Sequence, residues 1–70
     1  MKTKYKYEVG DLISVESKGF SDIAIILSVS VPEYDNLYEF YQVNSALSGE
    51  TYIIPQGMIA GEIISNLFDI

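Results

Sequence analysis

The chain contains no cysteine, histidine, tryptophan or arginine; its four basic residues are all lysine. Without cysteine there is no disulfide staple and no thiolate chemistry, so a reducing cytosol is the default compartment. With histidine also missing, a serine nucleophile would need a lysine or a carboxylate as its base, and Lys18 beside Ser17 is the nearest such pairing. Neighbours on a strand or loop end point apart, and Lys18 reads as a solvated turn lysine. The lack of arginine removes the planar fork that recognises phosphate in two bonds at once. Five glycines stand singly at 10, 19, 49, 57 and 61, so no glycine-rich phosphate loop is present. The uncharged stretches 51–61 and 23–32 fall well short of the roughly 18 apolar residues of a membrane span. Glu8 and Asp11 interrupt the place where a signal peptide would be apolar, so no export signal is read.

What is present suffices for one small folded domain. Seventy residues leave no room for a second one, and Ile, Leu, Val and Phe together number 23, enough to bury a core. Charge is unevenly placed. Lys2, Lys4 and Lys6 lie in a basic N-terminal stretch, residues 1–7, expected to be flexible, whereas the body from residue 8 carries ten carboxylates against Lys18 alone. Such a body repels nucleic-acid phosphates, which argues against direct nucleic-acid binding. Its acids are scattered, which fits general solubility better than mimicry of a DNA backbone. The tightest group, Glu33, Asp35 and Glu39, lacks the spacing and central glycine of a calcium loop, so neither metal nor cofactor is expected. No carboxylate pair is set in apolar surroundings that would make it an acid and base, and no catalytic residues are assigned.

Period-two alternation dominates the first four-fifths of the chain. Val9, Ile13 and Val15 alternate with Ser14 and Glu16 behind the Gly10-Asp11 turn, predicting a first strand at about 11–17. Residues 17–22 read as a hairpin loop in which Gly19 takes positive φ. In the second strand Ile23, Ile25, Leu27, Val29 and Val31 form the more apolar phase, which predicts that the odd positions face the core. Pro32 ends that strand and 33–36 offers turn residues. A third strand at about 37–44 has Tyr38 and Phe40 on one face but Tyr41 and Val43 on the other, a slip that a bulge would reconcile. Ser48-Gly49-Glu50 turns the chain into a fourth strand at 51–54, closed by Pro55. For 56–68, steps of four suggest a helix, while Gly57, Gly61 and the β-branched isoleucines oppose it. The preferred reading is a helical turn at about 55–60 and a fifth strand near 62–67; the alternative is an α+β arrangement, a four-stranded antiparallel sheet under a C-terminal helix.

Five strands with a helical turn before the last outline a small all-β barrel, 8–70. The run Val9-Gly10-Asp11-Leu12-Ile13-Ser14-Val15, the later Gly19 and the aliphatic second strand resemble the opening of small SH3-like and KOW-like domains. Ile54-Pro55 and Ile63-Ile64 resemble the ending of short phage and bacterial proteins built this way. The resemblance implies an SH3-like barrel; the absence of catalytic residue types, with the tyrosine excess and the acidic body, points to a non-enzymatic interaction module, such as a phage accessory protein that binds a host or virion protein in the host cytoplasm or virion. Ala24 stands where a KOW-like motif has glycine, and the basic residues that serve RNA binding are missing. Neither the Ala-Leu-Tyr-Asp-Tyr segment nor the groove tryptophan of signalling SH3 domains is present.

Aromatic content is the positive signal for binding. Six Tyr and three Phe are many for so small a core, and Tyr enriches protein interfaces because it offers large area at low entropic cost. The same rings would equally serve to cover a thin barrel. The contact surface expected from sequence comprises Phe20, Tyr34, Tyr38, Tyr41 and Tyr52 with the acids Asp22, Glu33 and Asp35, facing a protein partner. The alternative function is an inhibitor that presents acids to a nucleic-acid-binding protein. Because a core this small supplies only a few kcal/mol, association with further copies is also expected.

Overall fold

The computed structural model describes residues 7–30 and 39–69. The chain folds as β1 (Leu12–Ser17), β2 (Phe20–Ser30), β3 (Phe40–Ser45), β4 (Thr51–Pro55), a 3-10 turn (Gln56–Met58), β5 (Ile59–Ile64) and a second 3-10 turn (Leu67–Asp69). The five strands form one antiparallel sheet in the order β4-β3-β2-β1-β5. The all-β expectation and the helical turn before the last strand hold, and the C-terminal helix of the α+β alternative is absent from the described residues. The sheet stays open rather than closing into a barrel, with β4 and β5 at opposite edges. Strand β5 begins three residues earlier than the sequence suggested.

The hairpin between β1 and β2 decides which residues enter the core. Ser17 pairs with Phe20, so the turn is only Lys18-Gly19, with Gly19 at φ 75°. Two-residue turns fix register, and this one sets Ile13 opposite Ala24 and Val15 opposite Asp22. Paired residues share a face, so burying Ile13 and Val15 sends the even positions of β2 inward. Ala24 and Ile26 are fully buried, whereas Ile23 and Ile25 are half-buried and Leu27 is exposed. The prediction that the odd positions of β2 face the core is thereby corrected. The two strands pair odd residues with even ones, so the inward odd residues of β1 bring the even residues of β2 inward although the odd phase is the more apolar.

A bulge then resets the phase. Ile26 pairs with Val43 and Ser28 with Gln42, which leaves Leu27 as the extra residue. Beyond it Val29 pairs with Tyr41 and packs on the core. Strand β3 itself is regular, with Tyr41, Val43 and Ser45 buried, so the irregularity read into it lies in its partner. The core comprises Tyr7, Ile13, Val15, Ala24, Ile26, Tyr41, Val43, Ile54 and Ile59. Tyr7 thus belongs to the domain rather than to a flexible arm. Its ring meets Tyr41 edge to face at 5.8 Å, and its amide donates to the Tyr41 hydroxyl at 3.4 Å. Tyr41 Oη in turn donates to Glu39 Oε1. Residues 1–6 and 31–38, with Pro32 and the turn expected at 33–36, lie outside the described residues.

The segments before β1 and after β5 are tied at Asp11, which is 3 % exposed. Its Oδ2 accepts from the Glu8 amide at 2.9 Å and its Oδ1 from the Asn66 amide at 2.7 Å. Asn66 has φ 57°, a left-handed conformation that asparagine tolerates better than most residues. The Leu67 amide donates to the Gly10 carbonyl. Gly10 has φ 95°, and a Cβ there would lie 2.8 Å from Asn66 Oδ1 and 3.0 Å from the Phe68 ring, so the tail closes directly over it.

The face assignment can be tested by truncation. Ile26→Ala should lower the unfolding free energy by about 2–5 kcal/mol, as for other fully buried isoleucines. Leu27→Ala should cost under about 1 kcal/mol. Urea denaturation of both variants checks the order, and a larger loss at Leu27 would restore the odd-facing reading.

Candidate functional site

The charged residue drawn into β2 by the hairpin register is Asp22, 9 % exposed among apolar neighbours. A carboxylate so placed needs donors, and three converge on it. The Ile23 amide donates to Oδ1 at 2.8 Å, Ser45 Oγ donates to the same oxygen at 2.9 Å, and Tyr52 Oη donates to Oδ2 at 2.6 Å. Each donor comes from an element set by the sheet: β2 itself, the end of β3, and β4. Ser45 Oγ also accepts from the Leu47 and Ser48 amides at 3.2 and 3.0 Å, so Asp22 organises the turn between β3 and β4 at one remove. The turn is further held by Ala46 N donating to the Ile23 carbonyl at 2.7 Å. Gly49 N and Ser45 N complete it, donating to the Ser45 and Glu50 carbonyls.

Burial alone would raise the Asp22 pKa, but the hydrogen bonds from Tyr52, Ser45 and the Ile23 amide outweigh it and hold it below the usual carboxylate value. Tyr52 is pushed up to about 12, first by burial and then by donating to Asp22. Tyr41 is raised by burial and by Glu39. The chemistry of the cluster is therefore one of holding position. The Ser45 proton is committed to Asp22 and its lone pairs to two amides, and Tyr52 stays protonated across the physiological range.

On this anchored tyrosine stands Phe20, 45 % exposed, its ring 6.4 Å from Tyr52 at an interplanar angle of 81°. Phe20 also lines a shallow open depression at the hairpin tip with Glu16, Ser17, Gly19 and Ser21. Of the residues expected to form a contact surface, Phe20, Asp22 and Tyr52 are thus brought together. Tyr41 is fully buried, which corrects its assignment to the surface: its hydroxyl is satisfied by Glu39, so its ring can fill the core. Tyr34, Tyr38, Glu33 and Asp35 lie outside the described residues. Ser45 was not singled out from sequence, although its place at the end of an inward-facing alternation with Tyr41 and Val43 was visible there. Exposed Leu47 and Ile53 were likewise passed over.

Among the described residues no group of three or more acidic side chains is arranged to hold a metal ion, and no helix is long and apolar enough to cross a membrane. Exposed Glu8, Glu16, Glu50 and Glu62 sit on four separate segments. No protein-family model matches this chain, and no curated protein or solved structure matches it.

The protonation states fix a pH window. A depressed Asp22 contributes stability that is complete above its unfolded value of about 4 and is lost as pH falls through the folded pKa. A raised Tyr52 contributes stability that is complete below about 10 and is lost as pH climbs toward 12. Thermal melts across pH should therefore show a plateau between these limits. Tyr52→Phe should cost about 1–3 kcal/mol. It should also move the acid limb to higher pH and shrink the alkaline loss, leaving the part due to Tyr41. An acid limb unchanged in Tyr52→Phe would separate Asp22 from Tyr52.

Proposed function

We propose that this chain is a non-enzymatic protein-interaction module whose contact site is the Phe20–Tyr52 aromatic pair held by Asp22. The observation that carries the reading is a half-exposed phenyl ring standing on a tyrosine whose hydroxyl is fixed by a buried carboxylate. An aromatic side chain already restrained before binding loses little further entropy on contact, the property shared by anchor residues of interfaces. The surface around the domain supports it. Among the described residues nine large apolar ones remain exposed, as many as form the buried core, and they include Leu47 in the turn that Ser45 organises.

The placement of the acids supports apolar contact over mimicry of a nucleic acid. Asp11 and Asp22 are turned inward to accept hydrogen bonds, and among the described residues the exposed glutamates do not share a strand. The proposal keeps the SH3-like resemblance of the sequence run Val9-Gly10-Asp11-Leu12-Ile13-Ser14-Val15, here on an open sheet.

The test is a tagged pull-down from nuclease-treated lysate of the source cell, with the wild type beside Phe20→Ala. A partner captured by the wild type should be retained at moderate salt and reduced at least about tenfold by Phe20→Ala, the loss of an anchor worth more than 1.4 kcal/mol. The variant should keep the wild-type melting temperature within a few degrees, since Phe20 is outside the core. Capture equal in both proteins would remove Phe20 from the contact. Capture abolished by salt alone would favour the acidic surface.

A further inference from the structure

Strand β4 is an edge of the sheet, with no strand beyond it among the described residues. Its register shows which main-chain groups face outward. The Gln56 amide donates to the Glu39 carbonyl at 2.9 Å and the Ser45 amide to the Glu50 carbonyl at 2.8 Å, so residues 50 and 56 turn their backbone toward β3. Antiparallel pairing alternates. Tyr52 and Ile54, opposite Val43 and Tyr41, therefore also turn inward, while Thr51, Ile53 and Pro55 direct their main chain away from the sheet.

Edges of this kind are normally protected by charge, bulges or proline. Strand β5, the other edge, carries two register irregularities and Glu62. Strand β4 has neither a bulge nor a charge, and its one proline is its last residue. Ile53, at its centre, is 67 % exposed. We infer that β4 is a docking edge for a second copy of this chain, pairing antiparallel about a two-fold axis at Ile53.

The outward groups are self-complementary in that register. The Ile53 amide of each copy donates to the Ile53 carbonyl of the other, and each Thr51 amide donates to the opposite Pro55 carbonyl. Proline's missing amide leaves only the Thr51 carbonyl to solvent. The same operation places the two Ile53 side chains together on one face, as an isologous contact requires. The net charge of −6 opposes self-association of the whole chain, but β4 carries no charged residue, so the pairing sets no carboxylate of one strand against a carboxylate of the other. A five-residue edge is smaller than a standard interface, so the dimer forms in a concentration-dependent way.

Sedimentation velocity over roughly 5 µM to 1 mM spans the range of such transient contacts. The wild-type mass should rise from 7.8 kDa toward twice that value. Ile53→Lys should stay at the single-chain mass throughout, and Ala60→Lys on β5 should associate as the wild type does. Amide exchange of Thr51 and Ile53 in the wild type should slow as concentration rises, a readout independent of whether a variant folds. A wild type that stays at the single-chain mass overturns the inference, as does association unaffected by Ile53→Lys or exchange at 51 and 53 that ignores concentration. Growth past the dimer that Ala60→Lys abolishes would also overturn it, by showing β4-to-β5 pairing.

Discussion

The structure depends on where two carboxylates go when they leave water. A small sheet with one covered face has few apolar groups to spare, and an ionised side chain inside it is tolerated only when hydrogen bonds replace its hydration. Asp22 and Asp11 meet that condition at different ends of the molecule. The first collects donors from β2, β3 and β4, and the second collects amides from before β1 and after β5. Between them they reach every strand or its flanking segment. The acidic composition is thus partly structural, since some of the charge that defines the chain is spent inside it.

That use of charge explains how much was legible in the sequence. Alternation located the strands well because a half-buried strand writes its period directly into residue choice, and the steps of four after Pro55, opposed by Gly57 and Gly61, left room for a single helical turn there. Alternation could not settle which face of β2 is buried, because Ile23, Ile25 and Leu27 look more apolar than Asp22, Ala24 and Ile26. What decides is the cross-strand pairing with β1, odd residue against even, which single-strand apolarity does not encode. The start of β5 was misplaced for a related reason: its two irregularities blur the period. At the site, Phe20, Asp22 and Tyr52 were found by residue type. Their association, Tyr52 with both Asp22 and Phe20, is a long-range contact, which no local pattern encodes.

An open sheet of this size divides its apolar residues between a core and a surface that water must wet. Half-buried Leu12, Ile23 and Ile25 on the outer face of β1 and β2 are the counterpart of the inward Ile13, Ala24 and Ile26. The aromatic pair at the hairpin end differs from these aliphatics in being held by a polar anchor. Its geometry is set by the same hydrogen bonds that permit Asp22 to be buried. Site and fold are therefore not separable here, and loosening the anchor should be felt in both.

The Asp11 junction bears on how the chain is made. The Asp11 carboxylate is synthesised early, but one of its two amide donors, Asn66, follows 55 residues later. Strand β1 likewise waits for β5 to cover its second side. On the ribosome the first hairpin can form as soon as β2 emerges, yet it must hold a solvated Asp11 and an unpaired β1 edge until nearly the whole sheet has been translated. Completion of the fold therefore waits for β5 and Asn66, and the nascent hairpin is the species that chaperones would meet.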